Sequence, residues 1–225
     1  MARRVIVQTL VWYGVMGLLL FGPAGTLDWP GAWMFLAEMM ALSAVTGVLL
    51  ARHDPALLAE RLGSPVQKGQ PTADKFLLIS IFLSLAGWLA FMGLDVRFGW
   101  SDEVPVWAQA AGALSLALCL WIGYRAMREN SFAAPVVKIQ KERGQRVIDT
   151  GPYSYVRHPL YAGALFFFVG IPLLLGSWWG LAPTPAFVLL LAARIRLEEE
   201  TLRTGLEGYD AYAARVRYRL VPLIW

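Results

Sequence analysis

Residues 157–196 read Arg157-His-Pro-Leu-Tyr-Ala-Gly-Ala-Leu-Phe-Phe-Phe-Val-Gly-Ile-Pro-Leu-Leu-Leu-Gly176-Ser-Trp-Trp-Gly180-Leu-Ala-Pro-Thr-Pro-Ala-Phe-Val-Leu-Leu-Leu-Ala-Ala-Arg194-Ile-Arg196. The apolar part, 160–193, is longer than the roughly 20 residues that one membrane span needs. It is interrupted by Gly176-Ser-Trp-Trp-Gly180 and by Pro172, Pro183 and Pro185. Two foldings suit it: a pair of short helices in a hairpin, or one broken helix. Arg157 stands before the run and Arg194 and Arg196 after it. Like charges at both ends favour the hairpin, because cations collect on one side of a membrane.

Four further apolar runs lie upstream, at 5–24, 32–51, 76–94 and 104–124. Arg3 and Arg4 precede the first. The loop 52–75 and the long stretch 125–158 carry most of the remaining basic residues. The loop 25–31 has none, and 95–103 has Arg97 against Asp95, Asp102 and Glu103. With four spans and a hairpin, Arg97 alone of the 20 lysines and arginines falls on the far side. The predicted architecture is therefore all-α and polytopic, with both termini and both polar segments cytoplasmic. The first run reads as a span rather than a cleaved leader, since its apolar core is too long and the later spans need it for orientation.

Composition agrees. The chain is 57% hydrophobic and only 16% charged, whereas soluble domains carry about a quarter charged residues. Its basic residues sit in separate loops rather than in one stripe, so nucleic acid is not an expected partner. Cys119 is the single cysteine and His53 and His158 the only histidines, too few for a thiolate or imidazole metal centre. The compact chain and its Ala, Leu, Arg and Trp bias suggest a prokaryotic inner membrane.

A hairpin brings its ends together, so His158, Tyr161, Arg194 and Glu198 are expected to share one pocket at the membrane surface. Arg194 and Glu198 are four apart, on one helix face, where an ordinary ion pair would also suit them. Glu199 lies beside them. His158 precedes a proline and is held out of the helical region, and Pro159 takes the first helical position. The free amides of that first turn attract an anion, although a simple helix start explains the same pattern. Upstream, Lys138-Ile-Gln140-Lys-Glu-Arg-Gly144 reads as a helix end or turn. Gln145-Arg146-Val147-Ile148 reads as an extended segment able to meet a ring edge, or as a plain connector. Arg52-His53-Asp54-Pro55 reads as a helix stop. Glu38 is the one charge well inside the first four runs, either a tie between helices or part of an acceptor pocket. The tail after residue 197 begins as a charged helix and ends as an interfacial segment. Residues 1–130 thus hold the first four spans and 131–225 the region where chemistry concentrates.

Gly151-Pro-Tyr153, Arg157-His-Pro-Leu-Tyr161-Ala-Gly163, the apolar hairpin, Glu198-Glu199-Glu-Thr-Leu202, and Gly205 with Tyr209 and Tyr212 together resemble the C-terminal signature of isoprenylcysteine carboxyl methyltransferases. More loosely they resemble membrane phospholipid methyltransferases. The resemblance covers about 130–222 and implies an S-adenosylmethionine pocket that yields S-adenosylhomocysteine and needs no metal. It implies that Gln140, Gln145, Arg146, Val147, Ile148, Tyr153, His158, Pro159, Leu160, Tyr161, Glu198 and Glu199 bind the cofactor, with Glu198 closing the site. Arg194 would face a lipid-like or prenylated acceptor drawn from the bilayer. Phospholipid N-methylation and thiol S-methylation are the nearest alternatives. An NADPH-dependent reductase of the sterol reductase type is a rival of another class, since basic residues near 138–146 would suit its phosphates; a non-catalytic membrane protein is a third.

Overall fold

The computed structural model describes residues 2–225, with side chains from Ile6 onward; Arg3 and Arg4 lie outside the described side chains. Its elements are α1 (Ala2–Ala24), α2 (Pro30–His53), α3 (Pro55–Arg61), α4 (Thr72–Phe98), α5 (Val106–Glu129), α6 (Pro159–Leu175), α7 (Thr184–Gly205) and α8 (Tyr209–Arg215). Single 3₁₀ turns occur at Lys141–Arg143, Gly151–Ser154 and Trp179–Leu181. No strand occurs among the described residues. Helices α1, α2, α4 and α5, and the segment Trp179–Gly205, are long and apolar enough to cross a membrane, while α6 is shorter. The protein is an all-α integral membrane protein. Its helices overrun the apolar stretches by a few residues, because hydropathy marks the lipid-soluble middle of a helix and not its polar ends.

The hairpin forms, but its second arm is not the short helix expected: Trp179–Gly205 is long enough to cross a membrane. Gly176 (φ +77°) closes α6, its N–H donating to the Leu173 carbonyl, while Ser177 N–H donates to the Pro172 carbonyl. This is a Schellman ending, and it needs a left-handed residue that glycine supplies without strain. Buried Trp88 and Phe187, with ring centroids 4.9 Å apart, join Phe168, which stacks on Phe187, to bind α4, α6 and α7 together.

Several polar groups at the hairpin tip pair with one another. Trp29 Nε1 donates to the Leu175 carbonyl and Trp88 Nε1 to the Gly180 carbonyl. Asp95, 2% exposed at the end of α4, accepts from Ser101 N–H (2.8 Å), Ser101 Oγ (2.6 Å) and Ser177 Oγ. An unpaired carboxylate at this depth would be costly; three donors let it act as a clasp.

Close approach of backbones fixes α6 against α5, antiparallel. A Cβ on Gly112 would meet Leu174 N at 2.5 Å and Gly170 O at 2.8 Å, and one on Gly170 would meet Gly112 O at 2.9 Å. In a bilayer, where apolar burial gives no driving force between helices, small residues of this kind set the packing. The loop 52–75 differs from expectation in holding α3. Asp54 Oδ1 accepts from Leu57 N–H (2.9 Å) and Pro55 opens the helix, so the helix stop of α2 is also the start of α3. Glu38 is half-buried and forms no hydrogen bond or ion pair among the described residues, so α2 has no polar tie there.

Gly170→Val is expected to force α5 and α6 apart and cost about 2–3 kcal/mol, typical of overpacking. A lowered thermal midpoint in detergent checks this. An unchanged midpoint would mean that the helices do not touch as described.

Candidate active site

At the end of the bundle opposite the hairpin tip lies a cavity of ≈ 290 Å³. Its walls come from α3, the connector 132–138, the irregular segment 145–148, the starts of α6 and α8, and the last turns of α7. Each wall follows from local sequence. His158 takes φ −125° before Pro159, and the first α6 hydrogen bond runs from Ala162 N–H to the His158 carbonyl (3.0 Å). Leu160 and Tyr161 N–H therefore precede any intrahelical acceptor and favour negative charge. His158 makes no side-chain cap.

Tyr161 donates its hydroxyl to Glu198 Oε2 at 2.7 Å, which fixes that carboxylate in the wall. Arg194, 8% exposed, donates from Nε to Asp74 Oδ1 (3.0 Å) and from NH2 to the Pro135 carbonyl (2.6 Å); its guanidinium carbon lies 5.7 Å from the Tyr161 ring centre. The Arg194–Glu198 pair that the spacing allows is therefore not formed. Asp74 is fully buried and also accepts from Gln70 Nε2 (2.7 Å) and Val137 N–H (3.0 Å). Arg194 is thus held at two points and lines the cavity.

Behind this wall, Glu199 (2% exposed) accepts from Arg157 Nε at 2.7 Å and Arg219 Nε at 3.0 Å, and lies 3.3 Å from His158 Nε2. Arg157 NH1 donates to the Val216 and Arg217 carbonyls (2.7 and 2.9 Å). Arg157 and His158 N–H donate to the Tyr218 and Arg219 carbonyls (both 2.9 Å). The tail is bound to the start of the hairpin, with Val216 and Leu220 buried and Leu223 and Ile224 exposed. Tyr212 donates its hydroxyl to the Tyr153 carbonyl at 2.9 Å. Burial holds the Tyr153, Tyr209 and Tyr212 phenols well above the ordinary tyrosine value, so all three remain neutral donors.

Of the residues singled out from sequence, Gln145, Arg146, Val147, Ile148, Tyr153, His158, Pro159, Leu160, Tyr161, Arg194 and Glu198 line the cavity. Gln140 and Glu199 do not. Gln140 is fully buried and braces the connector, donating Nε2 to the Phe132 carbonyl and its N–H to Gln145 Oε1. Glu199 holds the hub just described. Sequence reasoning missed Arg61, Asp74, Arg157 and the wall-forming role of Tyr209 and Tyr212. Asp54-Pro55 before Leu57 and Leu58 was a legible sign of the helix that carries Arg61.

Tyr209 is 4% exposed, lines the cavity, and its hydroxyl has no hydrogen-bond partner. A buried unpaired hydroxyl is costly, so it marks a place for a polar ligand atom. Tyr153, Tyr161, the Glu198 carboxylate and the start of α6 border the same cavity. No group of potential metal ligands occurs among the described residues.

Residues 107–206 match the family model of phospholipid methyltransferase. The matched segment runs from the start of α5 to the end of α7 and includes the connector, the His158-Pro159 turn, the hairpin and the Glu198-Glu199 pair. No curated protein matches the chain. The match supports a membrane methyltransferase.

Arg157→Gln removes the main partner of a buried carboxylate and the anchor of the tail. A loss of about 3 kcal/mol is expected, as for other broken buried ion pairs, together with faster proteolysis beyond residue 215. Thermal unfolding and mass spectrometry of the digest check both, and an undisturbed tail would refute the clamp.

Proposed function

We propose that the cavity binds S-adenosylmethionine and that the protein transfers its methyl group to a lipid-like acceptor, most like the carboxyl O-methylation of an isoprenylcysteine. The observation that carries this reading is the meeting of Tyr161, Glu198, Arg194 and the unpartnered Tyr209 hydroxyl in one cavity at the end of an apolar hairpin. Catalysis and cofactor binding are assigned to residues 131–225, carried on the spans of 1–130, with Arg61 in the cavity wall and Asp74 holding Arg194 from behind it. Both termini lie on the cytoplasmic side of a prokaryotic inner membrane.

When bound, S-adenosylmethionine supplies a methyl group on a cationic sulfur, open to in-line displacement. The residues here align and screen rather than activate. Tyr153 and Tyr161 offer ring faces and Glu198 a fixed negative charge near a cation. Tyr209 donates to a ligand oxygen, and the Leu160 and Tyr161 N–H groups donate to a negatively charged ligand group at the helix start. Segment 145–148 borders the cavity with backbone that is neither helix nor strand, suited to a ring edge. Arg194 serves the acceptor as a fork-shaped donor for a carboxylate. Such an acceptor arrives ionised and needs no base, so orientation supplies most of the rate.

The family match gives phospholipid N-methylation specific support as a second reading. An amine acceptor must lose a proton, and Glu198 is the carboxylate in the cavity wall placed to take it.

Calorimetric titration of the detergent-purified protein with S-adenosylmethionine, S-adenosylhomocysteine and NADPH tests the proposal. The first two should bind, and Tyr161→Ala and Glu198→Gln should weaken them; binding of NADPH alone, or of no ligand, overturns it. Tyr209→Phe should raise the S-adenosylhomocysteine dissociation constant about fivefold, as loss of one hydrogen bond of about 1 kcal/mol requires, while leaving the thermal midpoint in place. Methyl transfer from labelled cofactor to a farnesylated cysteine derivative or to phosphatidylethanolamine then separates the two acceptor readings.

A further inference from the structure

Three cationic side chains border the cavity beside residues 132–138, and two of them are neutralised; Arg146, on segment 145–148, also lines the cavity but is exposed. Lys138 Nζ lies 2.7 Å from Glu60 Oε1, and Arg194 Nε lies 3.0 Å from Asp74 Oδ1. Arg61, at the end of α3, is the third. It donates from NH1 to the Ala133 carbonyl at 2.8 Å and has no carboxylate within ion-pair distance among the described residues. Arg194 NH2 donates to the Pro135 carbonyl at 2.6 Å, two residues along the same connector. The two guanidiniums are thus anchored on carbonyls two residues apart, and both line the cavity. Glu198 is engaged by Tyr161, and Arg157 is committed to Glu199.

We infer that Arg61 and Arg194 together hold an anionic group, a carboxylate or a phosphate, on the methyl acceptor. The inference rests on the methyltransferase reading and names the class of its substrate. A guanidinium drawn out of water without a counter-ion is unfavourable, and a ligand anion removes that cost. Burial, with the adjacent Arg194 charge, draws the Arg61 pKa below the ordinary guanidinium value, as expected for a cation that lacks its partner. Two planar forks anchored on neighbouring carbonyls also fix direction, which a single flexible cation would not do. The shared chemistry has two sources: the terminal carboxylate of a lipidated amino acid, and the phosphate of a phospholipid headgroup. In either case the apolar part of the acceptor remains in the bilayer while its anion enters the cavity from the membrane side.

The test is a binding measurement on the full chain in a neutral maltoside detergent, with three probes of similar apolar length. Farnesylthioacetate carries a carboxylate, dodecyl phosphate a phosphate, and dodecanol neither. The unaltered chain should bind one or both anions and should bind dodecanol much more weakly. Arg61→Gln should weaken anion binding about tenfold or more, the loss expected when a buried charge pair is broken. Arg61→Lys should restore part of it. S-adenosylhomocysteine should bind Arg61→Gln as it binds the unaltered protein, which shows that the fold and the cofactor end are intact. The anion held more tightly identifies the source.

Equal anion binding by Arg61→Gln and the unaltered chain overturns the inference. So does dodecanol binding as tightly as the anions, or no anion binding at all. If S-adenosylhomocysteine fails to bind while anion binding still depends on Arg61, the methyltransferase reading falls and the anion site stands.

Discussion

Glu199 is buried at the point where the hairpin's two ends and the tail converge, and the arrangement of the cavity follows from its need for partners. A carboxylate removed from water must be surrounded by donors. Arg157 and His158, at the start of α6, and Arg219, in the tail, provide that surround. Satisfying one charge thus brings together segments that are far apart in sequence. Glu198, the preceding residue, is then turned into the cavity beside Tyr161. A neighbouring pair of acidic residues divides its work: one supports the wall and the other forms its inner surface.

Asp95 does at the hairpin tip what Glu199 does at the mouth. It gathers Ser101 and Ser177, while Trp29 and Trp88 engage the carbonyls that the reversal leaves free. Between these polar clasps the helices are apolar, and the tightest packing comes from glycines rather than from large side chains. The hairpin is therefore pinned at both ends and pressed against α5 along its length. That rigidity lets α6 and α7 hold His158, Tyr161, Arg194 and Glu198 in fixed relation.

Much of this was legible in the sequence because it depends on spacing along one element or on charge bias across many. The apolar runs, the hairpin, the pre-proline turn at His158 and the convergence of His158, Tyr161, Arg194 and Glu198 all belong to that class. Long-range pairings were not legible. Asp74 sits beside Lys75 at the start of a span and looks like an ordinary helix-end charge, yet its partner is Arg194 in α7. Arg157 looks like a topology signal and is a clamp on backbone carbonyls of the tail. Gln140 belongs to the connector but braces it from behind, because a buried amide closed a local turn more readily than it faced the cavity. Arg61 was obscured by a different effect: its helix is too short for hydropathy to register, although its cap and proline were in plain view.

The cavity takes one side chain from α3, which follows the second span, and two from α8, which follows the last. Every intervening span must have entered the bilayer before those walls can face each other. Until the later segments exist, Asp74 and Arg61 lack the partners they hold in the folded chain, Arg194 and the Ala133 carbonyl. The cavity's walls are complete only once the hairpin is in place and the tail lies over Arg157.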